Sequence, residues 1–131
     1  MAHENKAILI VDDEPGVLRV ASAAISTVGY RAIVAENGAR GWEEWQAHRD
    51  EICLVLSDVM MPEMDGLALA EKILEADPEA KILMMSGYSD AALEVRARKR
   101  LPFIRKPFLT GDLLRKIGSM AGGAQNLAQQ S

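Results

Sequence analysis

Four polar segments each follow a run of apolar residues, and their side chains are of kinds that bind cations and donate to anions. AILIV is followed by Asp12, Asp13 and Glu14, ICLVLS by Asp58, KILMM by Ser86 and Gly87, and PFIR by Lys106 and Pro107. Each has an ordinary explanation by itself. Adjacent acids are usually a solvated turn, a serine at a strand end often bonds its own backbone, and a lysine is commonly a surface charge. Asp58 could cap a helix, but Met61-Pro62-Glu63-Met64-Asp65-Gly66 already supplies turn and cap residues before the next helical segment. Brought into one crevice, Asp12, Asp13 and Asp58 would repel each other by several kcal/mol at an intermediate dielectric, and a cation would be needed to offset that. Oxygen donors select a hard ion such as Mg2+ or Mn2+.

Whether these residues meet depends on the elements that carry them. Apolar runs of strand length alternate with segments of helical period. AILIV is followed by a segment in which Val17, Leu18, Ala21, Ile25 and Val28 recur at helical spacing. The alternation continues through Arg31 to Ala35, Gly41 to His48, Ile52 to Leu56, Leu67 to Leu74 and Lys81 to Met85. A last strand near Pro102 to Ile104 precedes a helix bearing Leu109, Leu113, Leu114 and Ile117. Gly29, the Gly38 region, Asp77-Pro78 and Gly118 read as punctuation between segments. Strands that alternate with helices pair through crossovers, which predicts an α/β fold with a parallel sheet and helices on both faces. Ligands of such sheets bind beyond the carboxyl ends of the strands, where the strand order reverses, and all four polar segments emerge on that edge.

The remaining features set bounds. One domain fits 131 residues, and 49% hydrophobic and 26% charged residues with a net charge of -4 describe a globular chain with little attraction for nucleic acid. Apolar runs such as Ala7 to Val11 and Cys53 to Leu56 fall far short of the roughly 20 residues that span a bilayer, so no membrane segment is expected. The amino terminus MAHENK lacks the apolar stretch of a secretion signal, and the lone Cys53 sits in an apolar run, which together favour a reducing cytoplasm. Trp42 and Trp45, three apart, should share a helix face and pack against the sheet or form a contact patch, with core packing the better account. Met84 and Met85 read as core, His3 and His48 as surface residues, Cys53 as inert core, and Arg96, Arg98, Lys99 and Arg100 as a solvated helix face.

VDDEP, LVLSDVMMPEMDG, MMSGYSD and FIRKPF resemble, in order and spacing, the four signature segments of response-regulator receivers of bacterial two-component signalling. The resemblance covers roughly residues 7 to 119. It implies a flavodoxin-like (βα)5 doubly wound fold with a five-stranded parallel sheet of order 2-1-3-4-5. It divides the chain into an N-terminal tail 1–6, a receiver 7–119 and a flexible C-terminal tail 120–131. It makes Asp58 the phosphoacceptor, taking the group from a phosphohistidine. Asp13, Asp58 and the backbone oxygen of Met60 would ligate Mg2+ or Mn2+, with Asp12 acting through water. Lys106 and the Ser86 hydroxyl would contact the transferring oxygens, and the Lys106-Pro107 bond would be cis. Ser86 and Phe103 would form the switch that alters the face of the fourth helix, fifth strand and fifth helix; Phe103 lacks the tyrosine hydroxyl frequent there. Implied partners are a histidine kinase or histidine phosphotransfer protein and a downstream protein, with the chain a monomer or a phosphorylation-dependent dimer.

Two departures accompany the resemblance. Lys99-Arg100-Leu101-Pro102 replaces the small residues that usually precede the fifth strand, and bulky Met60 and Tyr88 flank the acceptor, where they would shield an acyl phosphate from water. SGYSD and WQAHRDE look like receivers joined to hybrid histidine kinases, whereas a start at Met1 and an end at Ser131 suit a free-standing protein. Two rivals share the fold class. A phosphohydrolase of the haloacid dehalogenase type places its second Asp two residues after the nucleophile, unlike the adjacent Asp12-Asp13. A flavodoxin-like cofactor module would need a Ser/Thr/Gly-rich phosphate loop after the first strand, and this chain has none there.

Overall fold

The computed structural model describes residues 6–61, 64–87 and 101–121. Five strands, β1 (Ala7–Val11), β2 (Arg31–Ala35), β3 (Ile52–Asp58), β4 (Ile82–Ser86) and β5 (Phe103–Arg105), form one sheet of order β2-β1-β3-β4-β5. Every pairing is parallel. Helices α1 (Pro15–Ser26), α2 (Gly38–Ala47), α3 (Gly66–Ala76) and a C-terminal helix (Thr110–Ala121) cover the sheet. The segment read as a fourth helix, with Tyr88 and the Arg96 to Arg100 run, lies outside the described residues.

The two-residue period of the strands sorts their side chains into two cores. Ile8 and Ile10 of β1, Leu54 and Leu56 of β3 and Leu83 and Met85 of β4 meet Ala21 and Ile25 of α1 and Leu113 and Ile117 of the C-terminal helix. Leu9, Val11, Val55, Ile82 and Met84 turn the other way, onto Trp45 of α2 and Leu69 and Ile73 of α3. Each of these side chains is buried, and β1 throughout and β4 up to Met85 are apolar because both faces are covered. The same parity points residues 12 and 58 toward the α1 side as their strands end.

Several local readings change. The C-terminal helix runs through Gly118 to Ala121, past the 119 boundary, because Met120 and Ala121 pack on the first core; this contact outweighs the roughly 1 kcal/mol that a helical glycine costs. Leu109 precedes that helix and is 73% exposed, and Val28 follows the end of α1 and is also exposed; apolar type and spacing carried both beyond their helices. The chain leaves α1 through Gly29 at φ 96°, a conformation natural to glycine. Trp45 is buried as expected, whereas Trp42 is half-buried and stacks on it at 5.6 Å between ring centroids.

Candidate functional site

The crevice forms where the sheet order reverses, between the ends of β1 and β3. Asp12 directly follows β1. Its backbone N–H donates to the Ala35 carbonyl at 3.1 Å, which continues the β1–β2 ladder for one residue, and its Oδ1 accepts from the Glu14 N–H at 2.9 Å. Asp58 is the last residue of β3, where the next N–H, that of Val59, donates to the Met85 carbonyl. Lys106 follows β5 and is anchored by its own N–H, which donates to the Ser86 carbonyl at 2.7 Å. The Lys106–Pro107 peptide is cis, as the resemblance implies.

These strand ends bring together the expected residues. Carboxylate oxygens of Asp12, Asp13 and Asp58 all lie within 4.8 Å of one another, Asp12 and Asp58 buried and Asp13 exposed. The Lys106 ammonium is 3.1 Å from Asp12, 3.2 Å from Glu14 and 3.5 Å from Asp58. Ser86 ends β4 with its residue fully buried, and Phe103 begins β5, half-buried against the second core and paired with Met84. Met60, with an exposed side chain, lines the cleft beside Asp58. Tyr88 is outside the described residues.

Electrostatics follow from burial and crowding. Burial, and then the Asp12 charge, push the Asp58 carboxyl up to about 6, against the pull of Lys106 and the Met60 N–H. Burial likewise raises Asp12, although the Glu14 N–H and Lys106 oppose it. Burial would lower Lys106, but Asp12 and Asp58 outweigh it and hold the ammonium above its ordinary value. One ammonium cannot neutralise three carboxylates. An all-oxygen donor set strained in this way fits a hard divalent cation.

Two contributions went unseen in the sequence. From its neighbours in sequence Gly66 reads only as a turn residue, but a Cβ there would lie 1.9 Å from the Asp58 carbonyl oxygen, so only glycine lets α3 start against the acceptor strand. Its N–H donates to the Val59 carbonyl, while Asp65 takes the capping role by accepting from the Ala68 N–H. The second is Glu14, whose carboxylate reaches Lys106 across 92 residues of sequence. A cleft of about 780 Å3 opens above the carboxylates, walled by Val17 and Val20 of α1 and by Met60, Pro107 and Phe108.

The model of the response regulator receiver domain matches residues 8–118. The chain belongs to the receiver family of two-component signalling. The response regulator receiver protein CpdR of Brucella abortus is 34% identical over 117 residues, which are 88% of this chain and 96% of CpdR. The transcriptional regulatory protein GlrR of Escherichia coli is 31% identical over 82% of this chain, but the match is only 24% of GlrR. Against such regulators the chain therefore corresponds to about a quarter of the length. The structure of the response regulator TrrA of Thermotoga maritima, in complex with Mg2+-BeF, superposes with a TM-score of 0.77 at 28% identity, covering 87% of this chain and 97% of TrrA. Receivers bind Mg2+ at this acidic pocket and interact with histidine kinases and downstream partners. The match to the receiver family favours neither the dehalogenase nor the flavin alternative. Among the described residues, no helix is long and apolar enough to cross a membrane.

Proposed function

We propose that this receiver accepts a phosphoryl group from a phosphohistidine onto Asp58. The observation that carries the reading is the Lys106 ammonium 3.5 Å from Asp58 and 3.1 Å from Asp12, the two buried carboxylates of the acidic cluster. Asp13 and Asp58 directly, the backbone carbonyl of Met60, and Asp12 through water would hold Mg2+ or Mn2+. Such an ion supplies charge neutralisation for the carboxylates and the phosphoryl oxygens. At neutral pH Asp58 is mostly ionised even without that help, so one of its oxygens is available as nucleophile. The new bond joins that oxygen to phosphorus, while the bond from phosphorus to the donor nitrogen breaks and its electron pair leaves with the imidazole. Lys106 and the Ser86 hydroxyl donate to the phosphoryl oxygens. Attack by water on the acyl phosphate returns the carboxylate and releases inorganic phosphate; the bulk of Met60 beside Asp58 would slow that step, as would that of Tyr88, which lies outside the described residues.

Ser86 and Phe103 then carry the switch. Ser86, moving to bond the phosphoryl group, leaves space that the Phe103 ring fills, and apolar burial alone holds the ring inward because it has no hydroxyl. The face of β5 and the C-terminal helix, with the segment that the sequence reads as a fourth helix, would report the change to a downstream protein. The phosphodonor is a histidine kinase or a histidine phosphotransfer protein, acting in the cytoplasm. Amide and side-chain resonances recorded with Mg2+ and beryllofluoride test the reading. Shifts should centre on Asp58, Ser86, Phe103 and Lys106 and vanish in Asp58→Asn; shifts that persist in that variant would refute it.

A further inference from the structure

Glu14 is the N-cap residue of α1, yet its side chain makes no bond to the helix N–H groups. It extends over the cleft instead, its Oε1 3.2 Å from the Lys106 ammonium, and remains 64% exposed at the mouth. Among the described residues lining the cleft, Lys106 is the one cation, facing Asp13, Glu14 and Asp58, with Asp12 buried at the ammonium. Lys106 and a divalent ion together balance the charges of Asp12, Asp13 and Asp58. Glu14 is then the uncompensated charge, so the loaded cleft keeps one net negative charge at its entrance. It also competes for the ammonium that an incoming phosphoryl group needs.

We propose that Glu14 selects among phosphodonors by charge, disfavouring small multiply charged anions against donors whose charge is low or is covered by a protein surface. The inference rests on Asp58 being the acceptor. The apolar walls formed by Val17, Val20 and Phe108 add no opposing charge to the entrance, so the Glu14 carboxylate is offset among the described lining residues only by Lys106, whose ammonium Asp12 and Asp58 share.

Two donors of different charge test it. Acetyl phosphate approaches as a dianion; its phosphorus–oxygen bond breaks and acetate leaves with the electron pair as Asp58 bonds phosphorus. Phosphoramidate at neutral pH is a zwitterion with one net negative charge, and its phosphorus–nitrogen bond breaks to release ammonia. With Mg2+ present, Glu14→Gln should raise the initial rate from acetyl phosphate about fivefold and from phosphoramidate about twofold at low salt, and both gains should shrink as salt is added. Glu75→Gln, which removes the same charge from an exposed site on α3, should change neither rate. In metal-free protein, the Lys106 side-chain resonances should move in Glu14→Gln and stay in place in Glu75→Gln. Equal gains from both donors, no gain, or unmoved Lys106 resonances would overturn the selection. A wild-type protein that takes no phosphoryl group on Asp58 from either donor would instead overturn the acceptor reading beneath it.

Discussion

Lys106 serves Asp12, Asp58 and Glu14 with one ammonium, and the balance among these groups decides what single substitutions do. Lys106→Met removes the donor aimed at the transferring oxygens, so the phosphorylation rate of Asp58 should fall about 10²-fold with the fold intact, as measured by transfer from phosphoramidate. Asp58 itself makes stability depend on pH. Its folded value of about 6 lies above the ordinary carboxylate value of 3.8, so the native state holds more protons between the two. This group therefore destabilises the metal-free protein fully above about 6 and less as pH falls through that window. Asp58→Asn should unfold at higher denaturant than wild type at pH 7.5, with the gap closing toward pH 4; a gap that widens on acidification would reverse the sign. Met60→Asn should shorten the lifetime of the phosphorylated form, followed by loss of the phosphoryl mass after donor removal. At this scale the sequence exposed Asp12, Asp13, Asp58, Ser86 and Lys106 because each ends an apolar run. The Glu14 to Lys106 contact was hidden, since nothing local to either residue indicates that segments 92 residues apart close on each other.

Elements position these groups through burial on both faces of the sheet. Ile10 lies within β1, fully buried in the core shared with α1 and the C-terminal helix, so Ile10→Ala should cost about 2–5 kcal/mol of stability in a denaturant titration. Gly66→Ala acts differently: its Cβ would press on the Asp58 carbonyl, so phosphorylation should suffer along with stability. The strands were legible to within a residue or two because near-continuous apolar runs such as AILIV occur where both faces are covered. Helix ends were less so. Gly118 reads as a stop, but packing of Met120 and Ala121 carries the helix past it, and Leu109 reads as part of the helix although it stands exposed before the first turn. Periodicity records which residues are apolar, whereas tertiary contact decides where the helix ends.

At the scale of the whole molecule, strand order 2-1-3-4-5 sets the ends of β1 and β3 side by side and so builds the acidic crevice from segments more than forty residues apart. The order was not derivable from periodicity alone and came from the resemblance of four motifs, while parallel pairing followed from alternation. Because the metal would bind only the folded cluster, Mg2+ at a hundred times its dissociation constant should add about 2.7 kcal/mol of stability, and Asp13→Asn should remove most of that gain in thermal melts. The most direct test of the acceptor assignment is intact mass after incubation with acetyl phosphate and Mg2+. One added phosphoryl group, absent in Asp58→Asn and absent when the metal is chelated, is the predicted result. An unchanged mass, or a phosphoryl group that the Asp58→Asn protein still acquires, would contradict it.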